Sequence, residues 1–524
     1  MAEQKVSAAT KGALATAALL TLVCVAAQSS ALSVGLVPLI AMLLIYAMTQ
    51  VPLRYSIATI MFFAFILENP DEAPASGLWS SPFIGIGAVL LTHLNTVDRS
   101  ISALSWCSFS GMDVLLASLF LIALRRKSSR SKIDSAGRLA TPRPLIRLAY
   151  VSLAGMVFVW LSGLVRGGDL SMSLWQINRV MYLPVLFLLF SMSLRGPKDH
   201  KMLAKVVLGA ATFRALWAVY VLNTVDVAYD KDGHSTLAYA TSHNDSMLFA
   251  MAFVLAVSIL LERLPKSTKR LCLFLLPIIA LGIKDNGRRM AWVQVGVVLL
   301  TVYLITEDNP VKRRVRRTLM YSSPVILAYL VVGWNAASSI FKPVKILRSV
   351  VDAQSDSSTL WRELENFDLI ATVRMNPILG TGYGNGYVEV VKLPEISYSL
   401  ERFVPHNSIL GLWCYCGYFG YTALTLLWAA GVYFAMRAHK AATEPSQRVA
   451  ATACFGAVLV YLVQCWGDMG LGSWTGVFIV APSLAVAGKL AVATGEWGSK
   501  KKKTGPGAVR ARVVNGVQSP GQAA

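Results

Sequence analysis

The sequence predicts an all-α fold: a polytopic transmembrane helix bundle of about 12–14 helices, with a long extracytoplasmic loop carrying short helices. Three observations predict it. Of 524 residues, 55% are hydrophobic and only 15% charged, whereas soluble chains carry roughly 25% charged residues. Apolar runs of about 20 residues recur from end to end, the length that crosses a hydrocarbon core about 30 Å thick. Basic residues crowd the loops after every second run, which is the positive-inside pattern.

The N-terminal helices occupy 1–145. Lys5 and Lys11 precede an apolar run from Gly12 to Gln28, a signal-peptide-like start. A second run, Ala31 to Thr49, follows at once, so an uncleaved helical hairpin is expected. Further spans are expected at 53–67 and 102–125. The piece 82–94, PFIGIGAVLLTHL, is too short to cross easily and reads as interfacial or re-entrant. The central region, 146–440, holds runs at 146–165, 174–194, 202–222, 246–262, 270–284, 290–306, 319–336 and 405–437, plus the loop 338–404. The region 441–493 adds runs at 449–467 and 474–493. The remainder, 494–524, is a basic tail rich in Lys, Gly and Pro. It predicts disorder, with its lysines near anionic headgroups.

Loop charge orients the bundle. Arg125–Arg147, Arg195–Lys201, Arg263–Arg270, Lys312–Arg317, Arg437–Arg448 and Lys500–Lys503 are basic. Placing them inside puts both termini in the cytoplasm. The loops 68–101, 166–173, 223–245, 285–289, 338–404 and 468–473 then fall outside. The net charge of +21 therefore follows from topology. No basic face alternates with aromatics, and no nucleic-acid partner is indicated. The seven cysteines lie in or beside apolar runs without zinc-ligand spacing and read as small packed hydrophobes. No internal repeat, GxSxG, HExxH, Walker A or EF-hand pattern occurs.

Ionisable groups beside membrane helices cost free energy and need a reason. At 286–290, Asn-Gly-Arg288-Arg289-Met places two arginines outside, against the charge trend. They suit an anionic ligand gripped by bidentate hydrogen bonds, or they snorkel to headgroups. Arg362 lies in TLWRELENFDLIA (359–371), an amphipathic helix by the spacing of Leu360, Leu364, Phe367 and Ala371. Arg362 shares a side with Glu363, Glu365 and Asp368, and a surface salt bridge is the simpler reading. After Asn376-Pro377 comes Gly380-Thr-Gly382-Tyr-Gly384-Asn-Gly386. Its backbone amides can approach a ligand, Gly382 and Gly384 included, or form a flexible connector. His406-Asn407 opens a helix after Pro405; an imidazole there is a general base or part of a helix cap. Asp230, Asp232, His234, His243 and Asp245 in one outer loop, and Glu68, Asp71 and Glu72 in another, suit a divalent cation or plain solvated turns. Arg179 is expected near the outer boundary, at a ligand phosphate or a headgroup.

Three of these pieces together resemble the bacterial O-antigen ligase/polymerase family of polytopic glycosyltransferases. They are Arg288-Arg289-Met-Ala-Trp292; Arg362 with the helix running into Asn376-Pro-Ile-Leu-Gly-Thr-Gly-Tyr-Gly-Asn385; and His406-Asn-Ser-Ile-Leu followed by Gly417-Tyr-Phe-Gly420. The likeness covers about 150–440. Leu67-Glu-Asn-Pro-Asp-Glu-Ala-Pro is similar to exopolysaccharide-associated members. Many relatives carry a glutamate where Tyr415 stands here. The resemblance implies an inner-membrane enzyme whose donor is a glycan on undecaprenyl pyrophosphate. Arg289 and Arg362 would bind the pyrophosphate, with Arg288, Arg179, Asn407, Gly382 and Gly384 as further substrate contacts. His406 would take the proton of the acceptor sugar hydroxyl, with inversion at the anomeric carbon and with no nucleotide cofactor or obligatory metal. A glycan acceptor, membrane lipids and a chain-length regulator protein are the implied partners. Repeat-unit polymerase, ligase to lipid A core and protein-directed transferase are siblings within this reading. A lipid-linked glycan flippase is the competing class, and it predicts repeat halves and midplane charges.

Overall fold

The computed structural model describes residues 7–27, 30–68, 83–92, 109–128, 138–196, 198–224, 240–336, 338–341, 344, 348, 357–393 and 402–498. Sixteen α-helices and no strands occur among them. In chain order they are α1 (Ala8–Ala27), α2 (Ser30–Gln50), α3 (Leu53–Ile66), α4 (Ile84–Leu91), α5 (Gly111–Ser128), α6 (Arg143–Val165), α7 (Leu170–Ser193) and α8 (Asp199–Thr224). There follow α9 (Asp245–Leu261), α10 (Lys266–Asn286), α11 (Arg289–Ile305), α12 (Pro310–Gly333), α13 (Ser357–Met375), α14 (Ser408–Ala441), α15 (Pro445–Gly467) and α16 (Trp474–Ala493).

Seven of these helices are long and apolar enough to cross a bilayer: α1, α6, α7, α8, α14, α15 and α16. Shorter apolar helices include α3, α9 and α11. The chain is a multi-pass membrane protein. The short run at 82–94 contains only α4, eight residues or about 12 Å of rise, which does not span. Asp71, Glu72, Asp230, Asp232 and His234, and the tail beyond 498, lie outside the described residues.

The bundle is organised around α9, α14, α15 and α16. α14 packs on α6, α15 and α16; α9 packs on α8, α10, α11 and α15. α9 is buried almost all round, from Met247 to Ile259, and its uniformly apolar sequence has no polar face to give to water. At the periphery, α12 exposes Leu319, Tyr321, Val325, Leu327 and Val331, a surface suited to lipid rather than water. The two ends of the bundle differ in chemistry. At one, here the basic face, Arg54 pairs with Asp199 at 3.1 Å and Arg448 with Glu262 at 3.0 Å. There Arg126 also donates to the carbonyls of Met48, Thr49 and Val51, closing the C-terminus of α2. The opposite end, here the site face, carries 166–169, 240–246, 286–289, 402–407 and 468–473.

α14 is the element on which the site face is built. At 34 residues a straight helix would run about 51 Å, and it breaks at Gly417, where φ is 58° and ψ −170°. A break inside a bundle strands backbone groups that lipid cannot satisfy. The turn after α13 supplies the partners. Thr381 and Gly382 donate N–H to the carbonyls of Cys414 and Tyr415, each at 2.9 Å. Tyr418 and Phe419 donate to the carbonyls of Pro377 and Ile378, at 2.9 and 3.4 Å.

The fit leaves no room for a side chain. A Cβ on Gly417 would lie 2.3 Å from the Ile378 carbonyl oxygen, and one on Gly382 would lie 2.3 Å from Gly163 Cα. Gly417→Ala is therefore expected to destabilise the protein by about 1–3 kcal/mol from backbone strain alone, with the contact adding to it. Gly296→Ala in α11, where a Cβ meets nothing within 4 Å, should be neutral or stabilising by up to about 1 kcal/mol. Melting curves of the detergent-solubilised variants check both; equal melting of Gly417→Ala and the unmodified chain would contradict the docked-break account.

Candidate functional site

His406 lies just before α14, and three elements fix it. Asn407 caps the helix, its side-chain oxygen accepting from the Leu410 N–H at 3.1 Å, so the chain turns sharply at the pair. From α13, the Glu365 carboxylate accepts the His406 backbone N–H at 3.1 Å and faces ring Nδ1 at 3.4 Å. Trp361, one turn earlier, meets the His406 ring edge to face, with centroids 4.8 Å apart. A carboxylate at Nδ1 holds the imidazole with Nε2 as the acceptor nitrogen. No described residue hydrogen-bonds Nε2. The side chain is 21% exposed while Glu365 is 1% exposed, so the ring has one buried edge and one edge open to an incoming molecule.

The second part of the site starts from Asp468, which follows the C-terminus of α15. Its backbone carbonyl accepts the Ser408 hydroxyl at 3.2 Å, joining it to the first turn of α14. Its carboxylate accepts from His243 Nδ1 at 2.9 Å and from Gln464 at 3.3 Å. Arg288 donates to His243 Nε2 at 2.7 Å. A nitrogen that accepts from arginine carries no proton, so His243 is the Nδ1–H tautomer between a guanidinium and a carboxylate. Burial pushes the Asp468 carboxyl up, but the hydrogen bond from His243, the Met469 N–H and the nearby Arg362 hold it below the usual carboxylate range. It therefore stays ionised at neutral pH.

Arg362 thus lies close to Asp468, while its guanidinium makes no hydrogen bond within the described residues and its buried Nε has no partner there. Arg289 is the first residue of α11, and Met290 beside it packs where a Cβ on Gly467 would go. The start of α11 is therefore seated against the Gly467–Asp468 turn. Through Asp468, the segments bearing Arg288, Arg289, Arg362 and His406 come together on one face.

Other expected site residues have different surroundings. Gly382 and Gly384, expected to offer amides to a ligand, have them committed internally. Gly382 N–H goes to Tyr415, and Gly384 N–H goes to Gln176 Oε1 at 2.5 Å. Their positive φ values of 81° and 94° serve close packing against Gly163 and Asp169. Asn407 is spent on the cap, with its buried Nδ2 unpaired among the described residues. Arg179 donates to the Leu91 carbonyl at 3.1 Å and lies over the Trp474 ring; it closes α4 instead of facing the cluster. Glu365 and Asp368, read as members of a surface charge array, are fully buried, while Leu360 and Phe367 of the apolar stripe are exposed. The side of α13 that packs into the protein mixes Trp361 and Leu369 with these two carboxylates, while Glu363 is exposed.

Three participants were invisible as a set in the sequence: Glu365, Asp468 and Arg214. Arg214, inside α8, is 1% exposed and binds Glu68 at 2.7 Å and Asp245 at 2.6 Å. Trp217 donates to the same Glu68 oxygen at 3.2 Å. Asp245 begins α9, two residues after His243. Asn286 binds Thr241, Ser242 and Ser246. These contacts brace the 240–246 segment that presents His243. Removing the cation would leave two carboxylates buried against each other. Arg214→Leu should cost about 3–5 kcal/mol, seen as a large fall in melting temperature and folded yield; a variant that melts normally would show the triad to be dispensable.

No protein-family model matches this chain, and no match to it is found among curated proteins.

Proposed function

We propose that the chain is a glycosyltransferase of the bacterial inner membrane. It transfers glycan from undecaprenyl pyrophosphate to a sugar hydroxyl on the extracytoplasmic face, and polymerises surface or exopolysaccharide repeat units. On this reading both termini are cytoplasmic and the site face is extracytoplasmic. The observation that carries it is the His406 imidazole clamped by buried Glu365 beside Arg362. It combines a carboxylate-oriented base with a guanidinium that has no hydrogen-bonding partner among the described residues.

The chemistry is a direct displacement. The acceptor hydroxyl oxygen attacks the anomeric carbon, and the bond from that carbon to the pyrophosphate oxygen breaks. The hydroxyl proton passes to His406 Nε2, and the leaving pyrophosphate keeps the electron pair. Glu365 stabilises the imidazolium that forms and keeps Nδ1–H directed at itself, which leaves Nε2 as the acceptor. Arg362 and Arg289 bind the pyrophosphate and stabilise the charge that builds on it. Arg288, already bonded to His243, holds the Asp468 side of the site in place. Tyr415, where relatives place a glutamate, gives its hydroxyl to the Arg402 carbonyl at 3.0 Å; on this reading Glu365 supplies the carboxylate from another helix. The same geometry suits transfer to a lipid A core, and the preference for polymerisation rests on the exopolysaccharide-like segment at Leu67.

The buried Arg214 triad is the one observation that favours a lipid-linked glycan flippase. Two of its three members, Glu68 and Asp245, belong to helix ends at the site face, whereas transport sites sit near the midplane. We therefore favour the transferase.

His406→Ala should abolish polymer in a membrane assay while inserting at normal levels, and Glu365→Gln should lower turnover about 10²–10⁴-fold. Unchanged long-chain product from His406→Ala would remove the base. Arg289→Ala and Arg362→Ala should each reduce turnover about 10²–10³-fold. Lysine should rescue poorly, because an ammonium lacks the guanidinium fork. Full activity in either alanine variant would take that arginine out of the site.

A further inference from the structure

A cavity of about 480 Å³ opens away from the site, between α3, α8, α9, α10, α15 and α16. Its lining is graded. Toward the bundle interior it is Met61, Met251, Leu255, Ile479 and Pro482; at the basic face it is His200, Lys201, Lys205, Ser267, Thr268 and Ser446. On α15 the lining runs from Ser446 to Cys454, about 12 Å of helix rise. That depth takes the cavity to roughly the middle of a 30 Å hydrocarbon core.

The polar end has the features of an anion site. α8, α10 and α15 all begin there, at Asp199, Lys266 and Pro445, and helix starts present unsatisfied N–H groups and positive dipole ends. Neither α10 nor α15 has a side-chain cap. Asp199 is already consumed by Arg54 and by the N–H groups of Arg195 and Gly196. Glu444 takes the Ser446 hydroxyl at 3.4 Å. Lys201 and Lys205, one turn apart, are unpaired among the described residues. Both ring nitrogens of His200 are buried with no hydrogen-bond partner there. Such nitrogens are costly unless something enters to meet them.

We propose that this cleft binds an anionic glycerophospholipid of the leaflet at the basic face. One acyl chain lies against Met251, Leu255 and Pro482, and the phosphate is held by His200, Lys201 and Lys205. The volume suits a single acyl chain and not a long polyprenyl tail. Basic pockets between membrane helices recognise lipid headgroups through this combination of charge and apolar depth. The proposal does not depend on the transferase reading.

The test uses delipidated full-length protein in detergent. It is exposed to phosphatidylglycerol, phosphatidylcholine of the same chains, or undecaprenyl phosphate, and bound lipid is counted by native mass spectrometry. The unmodified chain should retain phosphatidylglycerol about 30-fold better than phosphatidylcholine, the preference two headgroup-facing lysines supply. The exposed double variant Lys201→Gln/Lys205→Gln should melt normally and lose that preference. Ala453→Trp, which fills the cleft, should lose the tightest-bound lipid of either kind. Equal retention of the two phospholipids, undiminished preference in the double variant, or displacement of phosphatidylglycerol by equimolar undecaprenyl phosphate would overturn it.

Discussion

The site face depends on an exchange of backbone hydrogen bonds between two interrupted elements. α14 stops being helical at Gly417, and α13 ends at the Asn376-Pro377 turn. Each leaves polar groups that a bilayer cannot solvate, and each satisfies the other across residues 377–382 and 414–419. The exchange fixes the direction of the first turns of α14, and so of His406. Gln176 extends the same bracing, accepting from Gly384 and donating to the carbonyls of Asn385 and Phe403. Arg166 adds a bond to the Gly380 carbonyl at 2.7 Å. A loop rich in glycine is commonly pictured as mobile; here the glycines are what let three backbones approach within contact distance.

The fold was legible because one physical variable controls it. A run of apolar residues long enough to cross lipid has little choice but helix, and loop charge separates the two ends. Hence α6, α7, α8, α15 and α16 fall where hydropathy puts them, and α4 stays short because Ile84–Leu91 is flanked by polar sequence. Hydropathy does not reveal a break inside a span. Residues 405–437 read as one long run, and Gly417 differs from the neighbouring glycines through what docks on it.

The site was legible in part, and the division follows the same physics. Arg362 read as a surface salt bridge and was singled out only by the family resemblance, whereas Arg288, Arg289 and His406 stood out because a charge or an imidazole at a membrane boundary violates an expectation. Glu365, Asp368 and Asp468 did not, because acidic residues in outer loops look ordinary. The helix at 359–371 was read with water as its surroundings. Leu360 and Phe367 are exposed, and Glu365 and Asp368 go in beside Trp361 and Leu369, because buried partners and not exposure to water decide which side packs. Arg214 was passed over for the opposite reason: the only basic residue in the helix's inner stretch from Val206 to Thr224, it hardly alters hydropathy, and its partners Glu68 and Asp245 lie in other elements.

These buried groups also explain why the cationic cluster can exist without a ligand. Arg288 is spent through His243 on Asp468, and Arg214 is spent on two carboxylates. Arg362 is close enough to Asp468 to feel its charge yet makes no hydrogen bond to it. Asp468 therefore holds cations near one another without neutralising them all. On the proposed reading, a pyrophosphate would meet the Arg362 guanidinium beside a carboxylate that stays ionised at neutral pH. On that reading binding would cost little reorganisation, and charge developing on a departing pyrophosphate would find donors already in place.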